Sequence, residues 1–250
     1  MNRYFTGYIG VIDSGVGGLT ILKQLQHDYP TCNFVYIADS AYCPYGTKSP
    51  QQILNRVQQL VRFLQDARAQ AVVIACNTAS CFADNIRQQF NLPIYDVIVP
   101  TCKRVADITV NKCVALLATN ATVNSGVYQR ILNANGIATV AFPCSSFVPF
   151  VEANAVDSLE CSREVDAALY TLPNCNVDTV ILGCTHFPLL SKKIAPYANG
   201  AMIVECCSDF QPLSDNSIVP DTVFLTTGAQ KQANSVAKWF GQVDFVHVDI

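Results

Sequence analysis

Two cysteines stand out by their surroundings. Cys76 follows Val72-Val73-Ile74-Ala75 and precedes Asn77-Thr78, whereas Cys184 follows Val180-Ile181-Leu182-Gly183 and precedes Thr185-His186. Both segments read as an apolar run, a small residue, a cysteine and two polar residues, at an offset of 108 residues. Short apolar runs of this kind are buried strands, so each thiol falls at a strand's carboxyl end, just before a helix. A helix N-terminus lowers a thiol's pKa from an unperturbed value of about 8.5. Taken singly, a cysteine there is more often a small buried hydrophobe. Taken together, at equivalent positions of repeated units, two sulfurs can approach one ligand from opposite sides. Opposed bases are what inversion at a carbon requires. One removes a proton from one face, and the other returns a proton to the opposite face.

Other reactive types gather at neighbouring strand ends. Asp13-Ser14-Gly15-Val16-Gly17-Gly18 opens a helix after the first apolar run. It lacks the Gly-Lys-Ser/Thr of a phosphate loop and the glycine spacing of a dinucleotide fingerprint. A tight turn capped by Ser14 or Asp13 accounts for the glycines, but a carboxylate at a strand end is costly to bury without a partner. Glu152 and His186 lie in the second half, where they could accept or relay a thiol proton. Alone, Glu152 reads as a solvated helix residue and His186 as a helix cap beside Pro188. The two-residue separation of His186 from Cys184 favours a role in the site. Tyr42, Pro44, Tyr45, Gly46 and Lys48 occupy the loop after the second strand, and Thr119 and Thr122 follow a strand in the second half. Such loops are either plain surface or site wall.

The elements that must carry these residues alternate. Strands are expected at 8–12, 34–38 and 71–75, with helices at 18–28, 50–69 and 78–90 between and after them. The series resumes with strands at 113–118, 137–141, 179–182 and 201–204 and a helix at 122–135. Ile53, Val57, Leu60, Val61 and Leu64 recur at helical spacing. Strand–helix alternation predicts parallel sheets covered on both faces, and the strands show no polar alternation. The expected fold is α/β: two similar doubly wound units, an internal duplication about a pseudo-twofold axis, with the site between them. In such sheets ligands bind beyond the strands' carboxyl ends. The expected division is 1–98 plus 208–250 for the unit with Asp13 and Cys76, and 99–207 for the unit with Glu152, Cys184 and His186. A strand–helix–strand tail (223–226, 229–240, 244–248) would return to the first unit.

Composition narrows the function classes. With only 14% charged residues and half the chain apolar, a disordered chain is excluded. The net charge of −3 and the absence of a Lys/Arg cluster speak against nucleic-acid or anionic-membrane partners. No apolar run is long enough to span a bilayer. Twelve cysteines without a leader-like N-terminus predict free thiols in a reducing cytoplasm. There is no Cys-x-x-Cys pair, and His27, His186 and His247 are scattered, so no metal site is expected and a thiol redox role is disfavoured.

These motifs closely resemble the cofactor-independent glutamate racemases of the aspartate/glutamate racemase superfamily. The matching segments are Ile12 to Gly18, Pro44-Tyr45-Gly46-Thr47-Lys48, Ala75-Cys76-Asn77-Thr78-Ala79, Phe147 to Glu152, Leu182 to Leu190 and Phe224-Leu225-Thr226-Thr227-Gly228. The resemblance implies reversible interconversion of L- and D-glutamate without a cofactor, supplying D-glutamate for peptidoglycan. It implies that Cys76 deprotonates D-glutamate and Cys184 L-glutamate. Asp13 would assist the first thiol, and Glu152 and His186 the second. It also implies substrate contacts from Ser14, Pro44, Tyr45, Gly46, Asn77, Thr78, Thr119, Thr122 and Thr185. Homodimers are common in that family, although no residue here points to one. Two segments depart from the family pattern: Ala118-Thr119 where Gly-Thr is usual, and Glu205-Cys206-Cys207 where an Asp often stands. An aspartate racemase, or a small-acid binding protein without catalysis, are the competing readings. A binding protein needs neither thiol.

Overall fold

The computed structural model of the chain describes residues 7–211, 221–241 and 243–250. Residues 1–6 of the N-terminus, where no leader is expected, lie outside them. The first run of elements is β1 (Tyr8–Asp13), α1 (Leu19–Asp28), β2 (Asn33–Ala38), α2 (Pro50–Asp66), β3 (Ala71–Ile74), α3 (Asn77–Ser80), α4 (Ala83–Arg87) and β4 (Ile94–Asp96). The second is α5 (Ile98–Ile108), β5 (Cys113–Ala118), α6 (Asn120–Ser125), α7 (Val127–Ala134), β6 (Ala138–Pro143), α8 (Phe147–Glu152), α9 (Leu159–Leu169), β7 (Thr179–Gly183), α10 (Ser191–Ile194) and β8 (Met202–Glu205). The tail supplies β9 (Thr222–Thr226), α11 (Gln230–Ala237) and β10 (Phe245–His247).

The strands form two sheets, ordered β10-β9-β2-β1-β3-β4 and β6-β5-β7-β8. Every pairing in both is parallel. The inner part of the larger sheet, β2-β1-β3-β4, has the strand order of the smaller one, so β3 and β7 occupy equivalent places. Helices cover both faces because both faces of the strands are apolar. In the larger sheet Ile9 and Val11 of β1 pack toward α1 and α11, and Tyr8 and Ile12 toward α2 to α4. In the smaller one Ala115 and Leu117 face α8 to α10, and Val114 and Leu116 face α5 and α7. The tail adds β9 beside β2, in register from Phe34 opposite Thr222 to Ala38 opposite Thr226.

Local chemistry sets the element ends. Ser49 and Gln52 form a reciprocal capping box at the start of α2, with Pro50 in the first turn. Two expected helices are broken. The one at 78–90 is α3 and α4, where the Ser80 hydroxyl turns back to donate to the Ile74 carbonyl at 2.9 Å and the Phe82 amide bonds Ala79 three residues back. The one at 122–135 is α6 and α7, divided at Gly126, whose φ of 67° ends a helix in the left-handed region. Elements outside those expected from the sequence are β4, α5, α8, α9 and α10. β4 has only three residues, and Pro100 in the first turn of α5 obscures its helical period.

Candidate active site

Cys76 lies just past β3 and caps α3, and Cys184 lies just past β7, as their matched segments predict. Both are nearly closed to solvent, at 5% and 6% exposure. On the first side, Asp13 ends β1. Its Oδ1 accepts the Gly15 amide at 3.0 Å, and its Oδ2 accepts the Thr185 hydroxyl at 3.0 Å from the other sheet's unit. Burial pushes the Asp13 carboxyl up, against the pull of His186, the Gly15 amide and Thr185. The Cys76 thiol donates to Ser14 Oγ at 3.6 Å. A lowered pKa was expected for Cys76 from its helix N-terminus, but the structure reverses it. Burial raises this thiol and the Asp13 charge adds to the rise, whereas the Ala79 amide and Ser14 pull weakly the other way. A helix of four residues is too short a dipole to outweigh the loss of water. Cys76 therefore rests as a thiol, close enough to Asp13 for that charge to raise it.

The second side is built differently. Cys184 Sγ lies 3.8 Å from His186 Nδ1, and His186 Nε2 lies 2.7 Å from Glu152 Oε1. Burial opposes the imidazolium, yet Cys184 and Glu152 outweigh it and hold the His186 pKa well above its ordinary value. Burial likewise opposes the Glu152 carboxylate, but the bond and charge of His186, with the Val16 amide at 3.1 Å, keep its pKa low. The pair is thus imidazolium and carboxylate. The solvated-residue reading of Glu152 does not survive, and His186 holds the cap position before Phe187–Leu190 with its ring given to the ion pair instead. The Glu152 side chain is 14% exposed, and His186 makes no capping bond.

The glycine-rich turn owes its glycines to this contact. A Cβ on Gly15 would collide with Glu152 Oε1, and one on Gly17 would stand 2.8 Å from His186 Nδ1 and 2.9 Å from the Thr185 backbone. Asp13 closes the turn through the Gly15 amide, but neither it nor Ser14 caps α1, which Gly18 begins without a side-chain cap.

The remaining expected residues form the walls. Thr78, Thr119 and Thr122 bring their hydroxyls into a triangle with edges of 2.9, 3.2 and 2.9 Å. Thr119 also accepts the Thr122 amide and so starts α6. Gly46 lies so close to Thr119 that a Cβ would stand 2.7 Å from the threonine's own. The Tyr45 hydroxyl donates to Asp39 Oδ2 at 2.6 Å. Pro44 and Cys43 line a cavity of about 280 Å³ together with Glu152. Cys184 and Thr185 line another of about 200 Å³ with Arg104 and Cys206. Tyr42 and Lys48 stay on the outer side of their loop, Tyr42 over the Arg56 guanidinium and Lys48 over Tyr42. Cys43 Sγ, His186 and Glu152 place ligand-type atoms within 4.8 Å of one another, and the ion pair already engages two of them.

Residues that sequence reasoning passed over are Arg56, Cys43, Tyr128 and Cys206. Arg56 binds Asp39 through Nε at 2.9 Å and Nη2 at 2.6 Å. A charged residue inside the apolar stripe Ile53, Val57, Leu60 was the available signal. For Cys206 the signal was the departure at Glu205-Cys206-Cys207.

Matched thiols at the carboxyl ends of two duplicated sheets, one in the field of a buried carboxyl group and the other near an imidazolium, fit a proton-transferring isomerase. The family pattern described as Asp/Glu/Hydantoin racemase matches residues 18–208, and the chain belongs to that family. It is an amino-acid racemase by class. A glutamate racemase of Aquifex pyrophilus is 37% identical over 214 residues, 85% of this chain and 84% of the relative. A glutamate racemase isoform of Bacillus anthracis superposes with a TM-score of 0.89 at 27% identity, covering 99% of both chains. The glutamate racemase of Francisella tularensis, solved with D-glutamate, superposes at 0.85 with 30% identity over 98% of this chain and 97% of its own.

Proposed function

We propose that the protein interconverts L- and D-glutamate by direct proton transfer at Cα, with Cys76 and Cys184 as the two bases. The observation that carries this reading is the placement of the thiols at equivalent ends of β3 and β7, joined through the Thr185–Asp13 bond between the two units. The Cα–H of an amino acid is a very weak acid, so the carbanion-like transition state needs donors aimed at the α-carboxylate. Ser14, Thr78, Thr119, Thr122 and the Asn77 amide offer them. One sulfur, as thiolate, takes the Cα proton. The other, as thiol, gives its proton to the opposite face, and the enzyme is left with the roles exchanged. Cys76, which rests as a thiol, is the group that donates when Cys184 removes the proton. Asp13 accepts from Cys76 when the reaction runs the other way, and His186 with Glu152 stabilises charge at Cys184.

The substrate reading draws on the relatives, which are named for glutamate. From the family resemblance we also infer the supply of D-glutamate for peptidoglycan and a homodimeric form. From the cysteine-rich composition we infer a reducing compartment, and no helix among the described residues is long and apolar enough to cross a membrane. We place the division between units near residue 98, where α5 leaves the larger sheet and packs on β5.

Deuterium incorporation at Cα in heavy water tests the reaction. The protein without added cofactor is expected to exchange and invert both glutamate enantiomers, with aspartate as the competing substrate. Cys76→Ala and Cys184→Ala should each lower racemisation at least about a hundredfold, the usual scale of a general acid or base. Full activity in either variant would remove the two-base assignment.

A further inference from the structure

Asn77 follows Cys76 directly and is buried at 2% exposure. Its Oδ1 accepts the Tyr128 hydroxyl at 2.6 Å and lies 3.2 Å from the Cys206 sulfur. Its Nδ2 is shut off from solvent and has no hydrogen-bond partner among the described residues. A buried amide N–H₂ without an acceptor is costly, and native structures keep such groups for a reason. Tyr128 is wholly buried on α7 and Cys206 follows β8, so both come from the smaller sheet's unit, whereas Asn77 follows β3 of the larger. Burial drives the Tyr128 phenol upward, so it stays a hydroxyl donor across the working pH range. The Cys206 thiol is pushed up to about 11 and also stays protonated, sharing its hydrogen between Asn77 Oδ1 and the Leu182 carbonyl at 3.1 Å.

We propose that Tyr128, backed by Cys206, is a positioning residue that pins the Asn77 carbonyl and so reserves the Asn77 N–H₂ for a substrate carboxylate beside Cys76. The carboxamide has two orientations, and only one offers donors to an anion. Two donors on Oδ1 select that orientation before the substrate arrives. The proposal rests on the amino-acid racemase reading above. It adds that the donor is set by the opposite unit, so the site is complete only when α7 and α3 are in contact.

A double-mutant cycle tests it. Tyr128→Phe is expected to raise KM for both glutamate enantiomers about tenfold, more than it lowers kcat, as for a lost hydrogen bond to a charged group. Tyr128→Phe combined with Asn77→Ala should be no worse than Asn77→Ala alone, because one acts through the other. Cys206→Ala should show a smaller rise, and Cys206→Ser, which restores an O–H donor, should recover it. Effects of Tyr128→Phe and Asn77→Ala that multiply, or a wild-type KM in Tyr128→Phe, would overturn the proposal. A readout independent of turnover is the side-chain amide signal of Asn77 in ¹⁵N-labelled protein. It should be a sharp, solvent-protected pair in the wild type and broaden in Tyr128→Phe. An unchanged pair would overturn the positioning role even if glutamate proves not to be the substrate. Wild-type protein inert toward glutamate, with the pair broadening as expected, would count against the substrate reading alone.

Discussion

The two thiols are served by unlike partners. Cys76 has a buried carboxyl group with a raised pKa, and Cys184 has an imidazolium locked to a carboxylate. The His186–Glu152 pair makes a pH prediction. His186 titrates higher folded than unfolded, so its contribution to stability is whole below about pH 6.5 and drains as pH rises toward its folded value. Glu152 titrates lower folded than unfolded, so its contribution is whole above about pH 4.3 and drains as pH falls toward its folded value. The pair therefore stabilises most between about pH 4.3 and 6.5. Thermal unfolding of Glu152→Gln against wild type should show the widest gap in midpoint inside that window, narrowing on both sides. A gap independent of pH would mean that the pair is not ionised. The same substitution should move the alkaline limb of the racemisation profile to lower pH, since His186 loses the group that holds its proton.

Among the elements, the turn between β1 and α1 bears the tightest constraint. Gly15 and Gly17 let Glu152, Thr185 and His186 of the other unit reach the backbone. Gly17→Ala should force the units apart by a few tenths of an ångström or more. Its kcat/KM is expected to fall at least about tenfold, because catalysis depends steeply on sub-ångström placement. Ser49→Ala is the contrasting case. It removes the exposed capping box of α2, whose bonds run only between Ser49 and Gln52, and should cost about 1 kcal/mol of stability with unaltered kinetics. Denaturant titration and initial rates on both variants separate placement from stability. Equal loss of activity in the two would undo the distinction. The glycine-rich turn also shows where reading by motif stops. Its composition excluded phosphate loops, but the reason for its glycines is a contact with residues far along the chain.

At the scale of the molecule, the buried Asp39–Arg56 pair ties α2, the loop after β2 and the tail together. Asp39 also accepts Thr227 at 2.7 Å and Tyr45 at 2.6 Å, and Arg56 Nη1 reaches the Ile250 carbonyl at 2.6 Å. Arg56→Met leaves the Asp39 charge buried and unpaired, which should cost about 3–5 kcal/mol. The double variant Arg56→Met, Asp39→Leu should recover much of it, since replacing both members with apolar groups of similar volume is often neutral. Urea unfolding of the three proteins checks this. A single variant as stable as the wild type would mean that the pair contributes nothing net.

By itself the amino-acid sequence determined the parallel α/β class, the duplication and the two thiols. Apolar runs without polar alternation specify doubly covered strands, and the 72–78 and 180–186 segments repeat one pattern. That pattern is local, because a strand ending in a small residue and then a reactive one is set by neighbours in the chain. Two quantities were not local, and only the tertiary structure decided them. The first is the state of the acids and bases. The helix position of Cys76 argued for a lowered pKa, but burial and the charge of Asp13, which comes from another strand, raised it. The second is which groups meet. Thr185 on Asp13, Glu152 on the Val16 amide and Tyr128 on Asn77 join residues 51 to 172 positions apart. Contacts over such separations follow from how two sheets of equal strand order face each other, and no spacing within either one encodes them.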